Sequence, residues 1–210
     1  MHILVEGASR GLGLEVTRQA LEAGYQVRAM ARSASKLELS NPLFESVRGD
    51  ALKSRDVEAA LIGIDVVIQT LGIGFSDLFK TVSIFSEATR VLVAAMKRQR
   101  IRRLICVTGF GAGDSGANIS PLQRIPFQAI FGRAYQDKTR QEDLIKASGL
   151  DWTIARPGVL TGGKRTRLYK ILDDAPQWRN GIISRSDVAD FILKQISDET
   201  YLLKTPVLVN

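Results

Sequence analysis

Apolar positions along the chain alternate between two spacings. Short runs of four to six apolar residues fit buried strands, and longer stretches carry apolar residues at helical intervals. His2 to Glu6 reads as a first strand. Leu14 to Ala23 follows with Leu14, Val16, Ala20 and Leu21 on a helical spacing, closed by Gly24. Tyr25 to Ala31 is the second strand, Leu43 to Val47 the third, Ser54 to Leu61 a short helix, and Asp65 to Thr70 a fourth, almost wholly apolar strand. A long helix is predicted from about Leu78 to Arg100, with Val82, Phe85, Ala88, Leu92 and Ala95 on one stripe. Leu104 to Thr108 is the fifth strand, followed by a glycine-rich loop from Gly109 to Gly116. A helical region interrupted at Pro126 then reaches Ser148-Gly149. Trp152 to Ala155, a helix from Ser186 to Ile196 and a last strand from Val207 to Val209 complete the pattern, with Thr161 to Ser184 irregular.

Strands alternating with helices, the strands apolar on both sides, specify an α/β fold with a mainly parallel sheet covered on both faces. The expectation is a Rossmann-like, doubly wound sheet of about seven strands. One domain over residues 1–210 accommodates it, with a small substrate-side region around 109–130 and 159–184. No repeat, linker or low-complexity segment interrupts the pattern.

The first strand-to-helix turn carries the chemistry. Gly7-Ala8-Ser9-Arg10-Gly11-Leu12-Gly13 stands between strand and helix. There the free N–H groups of a helix start and the absence of side chains favour a bound phosphate. The candidates for holding a pyrophosphate are Gly7, Ser9, Arg10, Gly11, Leu12 and Gly13. The spacing is Gly-x-x-x-Gly-x-Gly, a variant of the dinucleotide fingerprint. An NAD site places an acidic residue about 20 positions beyond the glycines. No Asp or Glu lies between Glu22 and Glu38, and the stretch carries Arg28, Arg32 and Lys36 instead. A guanidinium there suits a 2′-phosphate. The predicted cofactor is NADPH rather than NADH, with Arg32 as its reader and Arg10 within reach.

Composition narrows the classes. The formal charge is +7, with one cysteine and one histidine. The cations are scattered, and the Lys97 to Arg103 cluster falls where a helix should end and complements its dipole. No nucleic-acid motif accompanies them, so nucleic acid is not expected as a partner. No apolar run approaches the roughly 20 residues that span a bilayer, the first segment reads as a core strand rather than a signal peptide, and a cytoplasmic protein is the default. Cys106 alone makes no internal disulfide, and His2 with Cys106 makes no metal site. Gly113-Asp114-Ser115-Gly116 has the look of a protease turn, but His2 in the first strand offers no base. Gly158 to Arg165 nearly spells a P-loop, with Arg165 where Ser or Thr should hold magnesium.

With these residues in view, the chain resembles the atypical short-chain dehydrogenases/reductases, in particular the group of biliverdin IXβ (flavin) reductase and NmrA-like NADPH-binding proteins. The likeness rests on the glycine turn, Arg32, Gly49-Asp50, Val91-Ala94-Ala95-Met96, Ser148-Gly149-Leu150 with Trp152-Thr153, and Arg156-Pro157-Gly158. The resemblance implies that Asp50 and Ala51 approach the adenine and that Leu71 and Gly72 pass the cofactor. It also implies that Pro157, Gly158 and Val159 touch the nicotinamide end. The superfamily's catalytic set is a Ser or Thr after the fifth strand and Tyr-x-x-x-Lys on the next helix. Here Thr108 is present, Gly109 stands in the commoner serine position, and Tyr135 precedes Lys138 by three residues rather than four, a swing of about 100° around a helix. Lys138 with Glu142 fits the family's Lys-x-x-x-Glu.

The resulting expectation is an NADPH-dependent oxidoreductase that passes hydride to a small conjugated acceptor such as a flavin or quinone, with Thr108, Tyr135 and Lys138 as catalytic candidates. Gly74 and Phe110 are the acceptor-side candidates. The rival reading is a non-catalytic NmrA-like NADPH sensor that signals to a protein partner. A sugar-nucleotide epimerase or dehydratase is a third reading. Oligomeric state stays open.

Overall fold

The structure is a computed structural model. It describes residues 1–33, 39–73, 83–119 and 121–210, the side chains at 121–124 and 126 excepted. Its strands are β1 His2–Glu6, β2 Gln26–Ala31, β3 Phe44–Arg48, β4 Val66–Gln69, β5 Arg103–Val107, β6 Asp151–Pro157, β7 Val159–Thr161, β8 Lys170–Leu172, β9 Ile182–Ser184 and β10 Val207–Val209. Its α-helices are α1 Gly11–Glu22, α2 Ser54–Leu61, α3 Ile84–Arg98, α4 Pro121–Lys146 and α5 Arg185–Lys194. The main sheet has eight strands in the order β3-β2-β1-β4-β5-β6-β10-β8. Every pairing is parallel except β10 with β8. β7 and β9 form a separate parallel pair.

Side-chain alternation divides the core between the two faces. Ile3 and Val5 of β1 point into a cluster with Val16 and Ala20 of α1 and Val188, Phe191 and Ile192 of α5. Leu4 points the other way, toward Val57 and Leu61 of α2, Leu92 and Met96 of α3 and Ile145 of α4. This is the doubly wound arrangement, and the strand order reverses between β1 and β4, where such sheets open a crevice at their carboxyl ends.

The eight strands of the sheet are close to the seven or so expected. Three finer sequence expectations are corrected. The segment read as irregular holds β8 and β9, each three residues long, too short for alternation to register. α4 runs without a break through position 126, because a proline removes a single bond near the start of a 26-residue helix. α1 begins at Gly11, so the last glycines of the turn are already helical. The expected start of the long helix at Leu78, with Val82, lies outside the described residues.

Candidate functional site

The crevice opens into a cavity of about 800 Å³. Its walls come from the residues just past the carboxyl ends of β1, β2, β3, β4 and β5, and the sequence-predicted Gly7, Ser9, Arg10, Gly11, Leu12, Arg32, Asp50, Ala51, Leu71, Gly72, Thr108 and Lys138 all line it. Two glycines set the approach of turn to sheet. Gly7 has a φ of +92°, and a Cβ there would lie 2.9 Å from the Thr70 carbonyl oxygen. A Cβ on Gly13 would lie 2.3 Å from the Gly7 carbonyl oxygen, so Gly13 acts by letting the helix close on the strand rather than by lining the cavity.

The first turn of α1 is built for an anion. Arg10 at its N-cap makes no side-chain capping bond, and the turn contains no acidic residue. Its leading N–H groups therefore lack helical partners and face the cavity with the positive end of the dipole. Arg10 and Arg32 add exposed guanidinium groups that make no hydrogen bond or ion pair among the described residues. Arg28 does not join them. Its Nε donates to Glu45 at 2.6 Å, and its Nη1 donates to the carbonyls of Ala60 and Ile62 at 2.9 and 2.6 Å, where it closes the carboxyl end of α2. Lys36 lies outside the described residues. Asp50 lines the cavity while its Oδ1 accepts from the Leu52 amide at 3.1 Å, which fixes the turn after β3.

At the far end the structure brings the three catalytic candidates together. Lys138 donates from Nζ to the Thr108 carbonyl oxygen and lies 5.1 Å from the Phe85 ring centre and 5.6 Å from that of Tyr135. Burial pulls its ammonium pKa down to about 8. The Tyr135 hydroxyl sits 2.7 Å from where a Cβ on Gly109 would be, so the glycine after Thr108 makes room for the phenol. Burial pushes that phenol up to about 12, and Tyr135 is not in the cavity wall. The Thr108 hydroxyl donates to Glu142 at 2.8 Å. Glu142 also accepts from Arg156, at 3.0 Å from Nε, and both side chains are fully buried.

Other predicted positions fall elsewhere. Phe110 is buried among Ile119, Leu172, Trp178 and Val207, not in the cavity wall: its amide donates to the Pro157 carbonyl, and its ring turns into this satellite core. Pro157, Gly158 and Val159 do not line the cavity either. Gly158 is instead required by the chain beside it, since a Cβ would meet the Gly181 carbonyl at 2.2 Å. Gly74 lies outside the described residues. Ser115 of the protease-like turn is buried and donates to the Ala112 carbonyl at 2.6 Å.

Sequence reasoning missed Glu6 and Arg185, both in the cavity wall, which Leu160 also lines. Glu6 is fully buried, with Oε2 accepting from Gln69 at 2.7 Å and Oε1 unpartnered; burial pushes its carboxyl up to about 7. Arg185 follows β9, far along the chain from the glycine turn. Only its position at a strand end could have signalled it.

A family model described as NAD(P)H-binding matches residues 7–199. The solved structure of ChuY, described as an anaerobillin reductase from Escherichia coli O157:H7, is 27% identical; it superposes with a TM-score of 0.83 over 100% of this chain and 97% of its own. An NAD(P)H azoreductase of Xenophilus azovorans is 29% identical over 74% of this chain, and the photosystem II assembly factor Ycf39 of Cyanophora paradoxa is 28% identical over 93%. The chain spans 47% and 59% of the lengths of those two relatives. No helix among the described residues is long and apolar enough to cross a membrane.

Proposed function

The chain belongs to the NAD(P)H-binding family, and from that premise we propose that it is an NADPH-dependent reductase passing hydride to a small conjugated acceptor such as a flavin or quinone. One observation carries the reading. A single cavity joins an uncapped, glycine-lined helix start and Arg32, unpaired among the described residues, at one end to Lys138 and Thr108 at the other. The similar proteins described as an anaerobillin reductase and an azoreductase, both named for conjugated acceptors, support the same class of chemistry.

The residues present fit a dinucleotide. Ser9 and the amides of Gly11 and Leu12 would hold the pyrophosphate, Arg10 and Arg32 a 2′-phosphate, and Asp50 and Ala51 the adenine end. Leu71 and Gly72 would flank the middle, with Lys138, Thr108 and Leu160 at the nicotinamide end. The bound cofactor would supply the hydride, and a conjugated acceptor brings its own electron demand, so the protein's part is orientation and proton delivery. Lys138 holds a proton at Nζ with a pKa near the working range, as a general acid requires. Tyr135 keeps its proton too tightly to release it readily. Thr108 turns its hydroxyl toward Glu142 and presents its carbonyl to Lys138. Of the expected acceptor-side segments 109–130 and 159–184, Leu160 reaches the cavity wall, while residue 120 and the side chains at 121–124 and 126 lie outside the described residues.

Arg32→Ala is expected to weaken NADPH binding tenfold or more, by about the strength of one charge-assisted contact, and to leave NADH affinity unchanged. Fluorescence titration with both nucleotides measures this, and equal losses for the two would refute the 2′-phosphate role. Single-turnover oxidation of bound NADPH against flavins, quinones, azo dyes and aldehydes tests the reaction itself. The commitment of the Thr108 hydroxyl to Glu142 favours one rival, an NADPH sensor without turnover. Tight NADPH binding with no acceptor-dependent oxidation would decide for that rival.

A further inference from the structure

Arg185 stands where a cation is locally unfavourable. It is the first residue of α5, at the positive end of that helix's dipole, and the ordinary acidic complement of the turn is supplied two residues on by Asp187. Asp187 is itself committed, accepting from the amides of Thr166 and Arg167 at 2.7 and 2.8 Å. α5 is locked to α1, since Gln19 Nε2 donates to the Ser186 carbonyl at 3.0 Å and Ser186 Oγ donates to Glu15 at 2.8 Å. That docking brings the Arg185 side chain to the start of α1. Its Nε lies 3.8 Å from where a Cβ on Gly11 would be, and the residue lines the cavity.

Two helix starts and one guanidinium thus meet around the same space, and the carboxylates in its wall, Glu6 and Asp50, come from β1 and the turn after β3 rather than from either helix start. Arg185 makes no hydrogen bond or ion pair among the described residues. The nearby acids of α1 are turned elsewhere, Glu15 to Ser186 and Gln19, Glu22 to Arg165 at 3.8 Å. Like-signed groups gathered in this way repel one another until an anion enters, and residues that break a local rule without internal compensation mark functional positions.

We propose that Arg185 grips the pyrophosphate of the dinucleotide from the side opposite the glycine turn, forming the second jaw of the phosphate site. The assignment rests on the reading of this cavity as the cofactor site. It divides the labour among the arginines. Arg32 reads the 2′-phosphate that only NADPH carries, whereas Arg185 holds the group that NADPH and NADH share. A guanidinium fork suits a diester with two charged oxygens, and a lysine there keeps the charge and loses the fork.

Nucleotide binding by fluorescence and calorimetry, without acceptor, tests this on the full chain. Arg185→Ala is expected to weaken NADPH and NADH by the same factor, about tenfold to a hundredfold, and to leave their ratio intact. Arg185→Lys should fall between the two, and Arg185→Gln should match the alanine variant, which guards against a folding defect peculiar to one substitution. Melting of each variant without nucleotide should be no lower than that of the wild type, since the replaced cation sits at the positive end of a helix dipole. Unchanged affinity for both nucleotides would overturn the proposal. So would a loss confined to NADPH, which would make Arg185 a second reader of the 2′-phosphate. A wild-type chain that binds neither nucleotide would overturn the cofactor reading and this proposal with it.

Discussion

Glu142→Ala is expected to destabilise the protein by about 3–5 kcal/mol, the usual cost of removing one partner from a buried ion pair. Glu142 and Arg156 are both fully buried. The Glu142 carboxylate accepts from Arg156 Nε at 3.0 Å and from Nη2 at 2.5 Å, and from the Thr108 hydroxyl at 2.8 Å. Lys146 adds a weaker contact at 3.6 Å. Asp114 lies 2.6 Å from the same Nη2, and the Trp178 ring centre is 5.0 Å from the guanidinium carbon. Without Glu142 the guanidinium keeps only the exposed Asp114 as a counter-charge among the described residues, and Arg156 Nη1 is already unpartnered. For a chain of this length the loss corresponds to a fall in melting temperature of about 10 °C. Thermal and urea melts measure it. A pair of this kind is costly to break and not intrinsically stabilising, so Glu142→Leu combined with Arg156→Met should recover most of the stability lost by Glu142→Ala. A melt of Glu142→Ala within about 1 kcal/mol of the wild type would show that Asp114 alone neutralises Arg156.

That ion pair also explains a glycine that the sequence presents in another light. Gly113 opens the stretch that looks like a protease turn. In the structure it has a φ of +54°, and a Cβ would lie 2.4 Å from Glu142 Oε2 and 2.5 Å from Arg156 Nη2. Its purpose is to let the chain pass over the buried charges. No local pattern discloses this, because Glu142 and Arg156 come from different elements.

The same distinction runs through the site. The glycine turn, Arg32 and the strand-end positions of Asp50, Leu71 and Thr108 were legible because strand, turn and helix are contiguous there and the period of apolar residues fixes where each strand stops. Arg28 was not separable from Arg32 by charge alone. Its place inside β2 sends it to the carbonyls that end α2, while Arg32 lies past the strand. Phe110 follows β5 as expected, yet its ring turns into the satellite core. Arg185 was invisible because its role depends on the docking of α5 against α1, between residues more than 160 positions apart in sequence. The three-residue spacing from Tyr135 to Lys138 proved compatible with close approach, since the Lys138 ammonium lies 5.6 Å from the Tyr135 ring centre.

Lys138→Met is expected to slow hydride transfer about a hundredfold or more while leaving the fold at least as stable as the wild type. The lower end of that range is what a positioned general acid contributes. Methionine keeps much of the aliphatic stem beside the Phe85 and Tyr135 rings and removes the ammonium. Burial lowers the folded pKa of Lys138 from 10.5 to about 8, so the unfolded chain binds more protons between those values. The group therefore costs stability below pH 8 and ceases to do so as the pH climbs through 10.5. Removing it at neutral pH should raise the melting temperature. The same pKa sets the sign of the activity profile: the proton-bearing form is the competent one, so the wild-type single-turnover rate should fall as the pH rises through about 8, and the Met variant should lack that limb. Tyr135→Phe should retain it, because the phenol at about 12 stays protonated throughout. Titration of NADPH separates the two ways a lysine at this position could act. A loss of rate at unchanged nucleotide affinity assigns proton delivery to Nζ, and a loss of affinity at unchanged saturated rate assigns it to holding the cofactor alone. A Met variant that keeps both the rate and the alkaline limb would remove Lys138 from the reaction.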